Sequence, residues 1–117
     1  MTGATVKAAA ATSAQAASAP SAGELINEGL RQRQRIGSEA ARPYFERAAQ
    51  AEPNSHVPWF MLGNVASELG DLDVAVAHYV HARDLHPGDH VVRYNLGLNQ
   101  LSRGYIDGAI EELRAAC

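Results

Sequence analysis

The pattern that decides the fold lies in residues 56–89, HVPWFMLGNVASELGDLDVAVAHYVHARDLHPGD. Gly63 and Ala75 are small residues at positions where two helices have to approach each other closely. Gly70 ends the first of these helices, and Pro87 stops the second. The stretch therefore predicts a helix–turn–helix unit. The residues that define the pattern are Trp59, Leu62, Gly63, Ala66, Gly70, Ala75, Tyr79, Ala82 and Pro87.

The same register recurs on both sides at a distance of about 34 residues, with no insertion or deletion. The matching positions are Gly29, Ala41, Phe45, Ala48 and Pro53 on one side and Leu96, Gly97, Gly104, Ala109 and Ala116 on the other. This spacing resembles the tetratricopeptide repeat, although Ala66 replaces the family's usual tyrosine. The resemblance implies an all-α, right-handed superhelical solenoid of about three helix–turn–helix units, the last one incomplete. The predicted segments are a tail over residues 1–21 and repeats over residues 22–55, 56–89 and 90–117.

The helix boundaries are predicted from capping residues and prolines. In the first repeat Gly37 and Ser38 form the turn, and Ser38 is the expected N-cap of the second helix. Because Pro43 would lie about one turn into that helix, we expect the helix to begin at Ala40 or later, or to bend at Arg42. The other predicted helices cover residues 22–35, 57–69, 72–85, 91–102 and 106–117.

Length and charge exclude several classes of protein. A chain of 117 residues fits one domain, and its formal net charge of −3 argues against non-specific nucleic-acid binding, which needs a basic face. No apolar run approaches the roughly 20 residues needed to cross a bilayer. Residues 1–21 are rich in alanine and serine but lack the apolar region of a signal peptide, so we expect a disordered tail and a cytoplasmic protein. The single cysteine, Cys117, excludes an internal disulfide.

Four histidines close together in the sequence raise the question of a metal site: His78, His81, His86 and His90. His78 and His81 could share one helix face, away from its packing positions. The other two flank a proline turn and have no reason to converge with them. We therefore expect solvent-exposed histidines, with no metal and no cofactor. No nucleophile–base pair or phosphate-binding loop is recognisable, which predicts that the protein is not an enzyme.

In the family that the chain resembles, the first helices of the repeats line a concave surface that binds partner segments. The corresponding positions here are Gly23, Ile26, Asn27, Leu30, Val57, Phe60, Met61, Asn64, Val91, Tyr94, Asn95 and Leu98. They predict a mostly apolar groove, with aromatic and methionine side chains near its centre and asparagines as polar anchors. The predicted peptide-binding residues are Asn27, Phe60, Met61, Asn64, Tyr94, Asn95 and Leu98.

Two binding modes known in the family can be tested against these positions. A clamp for the C-terminal carboxylates of a chaperone needs cations or asparagine at five positions that are mostly apolar here, so this mode is rejected. An asparagine ladder, as in the O-linked N-acetylglucosamine transferase, places an asparagine before the Leu-Gly pair to bind a peptide backbone. Asn95 matches that position and Asn27 half matches it, whereas Met61 interrupts the ladder.

The leading hypothesis is a scaffold that binds an extended or helical segment of a partner protein in this groove. A second hypothesis is that the chain is the N-terminal, substrate-recruiting section of a larger enzyme of the glycosyl- or sulfotransferase type, because it stops before its last repeat is complete. A third is a homo-oligomeric assembly module, since no following helix covers Ile110 and Leu113. All three predict protein or peptide partners rather than nucleic acid or a membrane.

Overall fold

The computed structural model describes residues 19–102 and 106–116, which form six helices and no strand. The helices are α1 (Ala22–Arg35), α2 (Ser38–Ala51), α3 (His56–Glu68), α4 (Leu72–Leu85), α5 (His90–Ser102) and α6 (Ile106–Ala116). They pair into three hairpins, α1 with α2, α3 with α4 and α5 with α6. Neighbouring hairpins meet where α2 packs on α3 and where α4 packs on α5. This arrangement confirms the predicted all-α repeat fold.

Helix α1 begins with a capping box at the end of the predicted tail. The Ser21 hydroxyl accepts a hydrogen bond from the Glu24 N–H at 3.1 Å, and the Glu24 carboxylate accepts one from the Ser21 N–H at 3.0 Å. Of the tail predicted over residues 1–21, residues 1–18 lie outside the described residues, as does Cys117. Within the described ranges, no helix is both long and apolar enough to cross a membrane.

Helix α2 differs from its predicted form. The later start is wrong: the helix begins at Ser38, and its N-cap is Gly37 rather than Ser38. Gly37 has a φ of +148°, which residues with a side chain rarely adopt, so a glycine is favoured at this turn. Pro43 removes one helical hydrogen bond, but Ala41 and Phe45 on either side of it are buried, and their packing keeps the helix continuous. The other predicted boundaries agree with the structure to within one residue.

The first two hairpins each close on a contact between a glycine and an aromatic ring. A Cβ atom at Gly63 in α3 would lie 2.6 Å from the ring of Tyr79 in α4. A Cβ atom at Gly29 in α1 would lie 2.5 Å from the ring of Phe45 in α2. Both rings are 1% exposed, so the space beside each glycine is already filled. The close helix approach predicted at Gly63 is therefore observed, and it recurs one repeat earlier.

A single aspartate connects the second hairpin to the third. Asp89 Oδ1 accepts a hydrogen bond from the Val91 N–H at 3.0 Å at the start of α5, and its Oδ2 lies 2.8 Å from His56 Nε2 at the start of α3. Burial raises the pKa of the Asp89 carboxyl, but these hydrogen bonds lower it by more, so the pKa lies below its usual value. Asp89 is therefore an anion at neutral pH and stabilises the first turn of α5.

A buried carboxylate attaches the last helix. Glu112 in α6 is 8% exposed and accepts hydrogen bonds from Arg83 in α4 and from Arg93 in α5, the second at 3.3 Å. A buried carboxylate needs such partners, because an unpaired charge away from water is strongly unfavourable. The two arginines therefore fix α6 against α4 and α5.

Replacing Gly63 by alanine should lower the free energy of unfolding by about 1–3 kcal/mol, because the new methyl group would overlap the buried ring of Tyr79. Urea unfolding followed by far-UV circular dichroism measures the change. Gly23→Ala is the matched control, since a Cβ atom there would lie 3.8 Å from its nearest neighbour, Ser21 Oγ. The control should leave stability unchanged or raise it by up to about 1 kcal/mol. Equal losses in the two variants would contradict the packing argument.

Replacing Glu112 by glutamine should destabilise α6 by about 1–3 kcal/mol, because both arginines lose their anionic partner. Hydrogen exchange of the α6 amides reports this loss locally, as faster exchange in that helix than in α1. Glu111→Gln is the control. Glu111 is exposed, and its substitution removes the same charge from the same helix. If both variants accelerated exchange equally, the loss of net charge rather than the buried pairing would be responsible.

Candidate functional site

A cavity of about 400 Å³ opens on the surface formed by the first helices of the three hairpins, α1, α3 and α5. Its lining residues are Arg33, Asn64, Ser67, Glu68, Tyr79, Asn95, Leu98, Asn99 and Ser102. All of them except Leu98 carry a polar side-chain group. The cavity is therefore more polar than the groove predicted from the sequence, and hydrogen bonding dominates its chemistry.

Asn64 is the residue at which three helices meet in the cavity wall. Its Oδ1 accepts a hydrogen bond from the Tyr79 hydroxyl at 2.5 Å and another from Asn95 Nδ2 at 3.1 Å. Burial raises the pKa of Tyr79 to about 12, so the hydroxyl stays protonated and remains a donor at physiological pH. Asn64 thereby joins α3 to α4 within its own hairpin and to α5 in the next one.

In the carboxamide of Asn99 in α5, the nitrogen makes hydrogen bonds but the oxygen does not. Its Nδ2 donates hydrogen bonds to the Asn95 carbonyl oxygen at 3.1 Å and to Ser67 Oγ at 3.2 Å. Its Oδ1 is buried, and it accepts no hydrogen bond from any described residue. The whole side chain is 6% exposed although it lines the cavity. Such an unfilled buried acceptor is uncommon in folded proteins.

An ion pair marks the end of the cavity nearest the first hairpin. Arg33 in α1 donates to Glu68 in α3, with Arg33 Nε 3.0 Å from Glu68 Oε1, and the Ser38 hydroxyl donates to the same carboxylate. Burial raises the pKa of the Glu68 carboxyl, but the hydrogen bonds from Arg33 and Ser38 lower it by more. The pKa of Arg33 is raised by the Glu68 carboxylate. Both groups are thus ionised, and their charges cancel at this end of the cavity.

The predicted peptide-binding residues divide into three groups. Asn64, Asn95 and Leu98 line the cavity. The half-buried Phe60 and Met61 pack instead against the cores of the hairpins, and Phe60 lies 5.8 Å from the ring of Tyr79, centroid to centroid. The remaining two, Asn27 and Tyr94, are exposed outside the cavity lining, with Tyr94 52% exposed.

Sequence reasoning missed six cavity residues. Tyr79 on α4 was singled out only as part of the repeat pattern, and the other five are Arg33, Ser67, Glu68, Asn99 and Ser102. They lie toward the C-terminal ends of the first helices, beyond the repeat positions considered in the sequence. A polar stripe of serine, glutamate and asparagine there was the available signal, but on a helix such residues are equally typical of a solvated face. The structure adds the contacts that hold them together.

The histidines pack more than the sequence suggested. His78 and His81 were expected away from packing positions, but the two rings lie 5.8 Å and 4.2 Å from that of Trp59, centroid to centroid. His78 is half-buried for this reason, so its expected solvent exposure is wrong, whereas His81, His86 and His90 are exposed. Burial and the charge of His81 lower the pKa of His78. Among the described residues, no group of three or more metal-ligating side chains could hold a metal ion.

The two residues predicted to mediate self-association lie on α6. Ile110 is 48% exposed, and Leu113 is half-buried. Neither residue contributes to the lining of the cavity.

The family model of the tetratricopeptide repeat matches residues 58–87. No curated protein sequence matches the chain. Two crystal structures of MamA resemble it at 23% identity over 82% of this chain, with TM-scores of 0.77 and 0.75, covering 56% and 52% of the MamA chains. A MamA mutant has a TM-score of 0.71 at 23% identity, covering 81% of this chain and 69% of that one. The chain thus spans about half the length of the first two MamA chains, and the likeness establishes a common fold.

Alkaline titration of tyrosine absorbance should show a step near pH 12 that is absent in Tyr79→Phe. Burial favours the neutral hydroxyl, so the stability it contributes is fully present below the pKa of an unfolded tyrosine, about 10, and is lost as the pH rises toward 12. Tyr94→Phe is the control. Tyr94 is exposed, so its substitution should leave the step near pH 12 in place. A step near pH 12 that persisted in Tyr79→Phe would show that the hydroxyl is not buried as described.

Proposed function

The chain carries a tetratricopeptide repeat at residues 58–87 and folds as a solenoid of such units, and from this premise we propose that it is a non-enzymatic scaffold that binds an extended segment of a partner protein. The surface formed by α1, α3 and α5 would hold that segment. A general role in protein interaction agrees with the family. The residues of the surface support the finer assignment.

The observation that carries the proposal is an exposed apolar residue at the edge of a polar cavity. Leu98 is 40% exposed and lines the cavity beside Asn95 and Asn99. Tyr94, one turn earlier on α5, is 52% exposed, and Leu30 on α1 is 38% exposed. Apolar anchors next to buried hydrogen-bonding groups are the usual composition of a peptide-binding surface, because the anchors contribute affinity and the polar groups fix the register.

Two of the predicted anchors pack beneath the surface, against the cores of the hairpins. Phe60 packs on Tyr79, and Met61 packs against the core formed by the first two hairpins. Truncating either one would disturb the fold before it tested any binding. The residues that a partner would contact are therefore Tyr94 and Leu98, whose exposed side chains can be removed with little loss of core packing.

A photo-cross-linking amino acid in place of Leu98 should capture discrete partner proteins in cells of the native host, whereas one in place of Val74 should not. Val74 is a fair comparison because it is 41% exposed but lies on α4, outside the cavity. Adding Tyr94→Ala should reduce the yield at Leu98 about fivefold or more, because an aromatic anchor is lost. Mass spectrometry identifies the captured segments.

Far-UV circular dichroism and the thermal midpoint of each variant establish that the fold is intact. Identical cross-linked proteins in equal yield at Leu98 and Val74 would contradict the assigned surface. A yield at Leu98 that did not respond to Tyr94→Ala would remove Tyr94 from it.

A further inference from the structure

A second pocket lies between the second helices of the first two hairpins, and the proposed function does not use it. It measures about 250 Å³, and none of its lining residues lines the cavity described above. This volume is below the roughly 300–1,000 Å³ of most small-molecule sites, so the pocket suits one side chain better than a cofactor. The lining residues are Glu46, Ala49 and Gln50 on α2, Trp59 and Leu62 on α3, and His78 on α4.

The repeat register shows what occupies the equivalent place between the second and third hairpins. There Glu112 accepts hydrogen bonds from Arg83 and Arg93, so two cations of the chain itself surround one carboxylate. None of these three side chains has a counterpart of the same type one repeat earlier. The corresponding residues are Ala49 for Arg83, Trp59 for Arg93 and His78 for Glu112.

The pocket offers an apolar wall and an aromatic ring where the later junction has arginines. Ala49 is 5% exposed and belongs to the same core cluster as Leu62, and the half-buried Trp59 packs against that cluster. Ala49 is too short to cross this junction as Arg83 crosses the next one. An arginine side chain from outside matches such a site, because its methylene groups pack on apolar surface and its planar guanidinium stacks on an aromatic ring.

The Glu46 carboxylate gives the pocket a negative charge that the described part of the chain leaves unpaired. No described residue forms an ion pair with it or donates a hydrogen bond to it. Arg42, one turn earlier on α2, is paired with Glu39 at 3.3 Å. Burial and the charge of His81 lower the pKa of His78, an effect that Glu46 opposes only in part, so this imidazole is mostly neutral at pH 7. The pocket therefore has an anion without a cation.

We propose that the pocket between α2 and α4 receives an arginine side chain of a protein partner. The guanidinium would donate to the Glu46 carboxylate and stack on the Trp59 ring, and the methylene groups would contact Ala49 and Leu62. A cation would then occupy this junction as Arg83 occupies the next one. The inference does not rest on the proposed function, because the pocket and the cavity have no lining residue in common.

The test titrates four blocked amino acids into the 117-residue protein at constant ionic strength. The chain has one tryptophan, so two-dimensional nitrogen–proton NMR shows a single indole N–H resonance, which reports on the pocket. N-acetyl-arginine amide should shift this resonance saturably. The lysine derivative should bind more weakly, because an ammonium group is not planar. The uncharged citrulline and leucine derivatives should bind about fivefold more weakly or less, because they lack the cation.

Two variants and one control assign the effect to the pocket. Glu46→Gln removes the charge at nearly constant size, and it should lower the affinity for the arginine derivative about fivefold. Glu52→Gln is the matched control: Glu52 is exposed, directly follows α2 and lies outside the pocket lining, so its substitution should change nothing. Ala49→Arg places an arginine where the next junction has Arg83, and it should abolish the saturable shift. The comparison of Glu46→Gln with Glu52→Gln decides the matter even where Ala49→Arg failed to fold.

The outcomes separate this inference from the scaffold assignment. No saturable shift, or binding of the lysine, citrulline or leucine derivative as tight as that of the arginine derivative, would overturn arginine recognition. So would equal losses in Glu46→Gln and Glu52→Gln, because the net charge would then be responsible. Cross-links at Leu98 would still support the scaffold in each case. An arginine preference that requires Glu46 would support the pocket even where no partner was captured at Leu98.

Discussion

The contact between Gly63 and the ring of Tyr79 is the constraint on which the cavity depends. The ring occupies the space where any larger residue in α3 would place its Cβ atom, so α3 and α4 approach each other closely. The hydroxyl of the same side chain then reaches Asn64 Oδ1 in the cavity wall. Tyr79 thus fills the core with its ring and orients a polar group with its hydroxyl. A small residue in the core consequently determines where a hydrogen-bonding group lies on the surface.

The contacts in the core and at the surface contribute differently: core packing supplies stability, and polar contacts at the surface set the relative positions of the helices. Buried aliphatic and aromatic side chains supply most of the favourable free energy, since burial scales with apolar area. The pair of Arg33 with Glu68 is more than a third exposed, so it contributes little stability. It does fix the position of α1 relative to α3, as the bond of Asn64 to Asn95 fixes α3 relative to α5. The shape of the cavity therefore depends on how the hairpins stack, and on no single helix.

The fold could be predicted from the sequence because each of its constraints is local and repeated. A glycine facing an aromatic ring, a glycine in the turn and a proline after the second helix recur at a fixed spacing. The start of α2 could not be predicted in this way, because the conformation of Gly37 and the burial of Phe45 outweigh the local cost of Pro43. The cavity could be predicted from the sequence only in part. Residues such as Phe60 and Asn99 lie between core and surface, and the distance between hairpins decides which way each one faces.

The energetics of Asn99 explain why an unfilled acceptor is consistent with a stable fold. An apolar residue at this position would avoid an acceptor whose desolvation costs about 1–3 kcal/mol, but it would also remove both hydrogen bonds made by Nδ2. Those bonds hold Ser67 across the interface and the Asn95 carbonyl within α5. A carboxamide cannot supply the donor without also carrying the oxygen. That oxygen is buried and accepts no hydrogen bond from any described residue. The two hydrogen bonds of Nδ2, worth about 0.5–1.5 kcal/mol each, are comparable to that cost, so the unfilled oxygen is compatible with a stable fold.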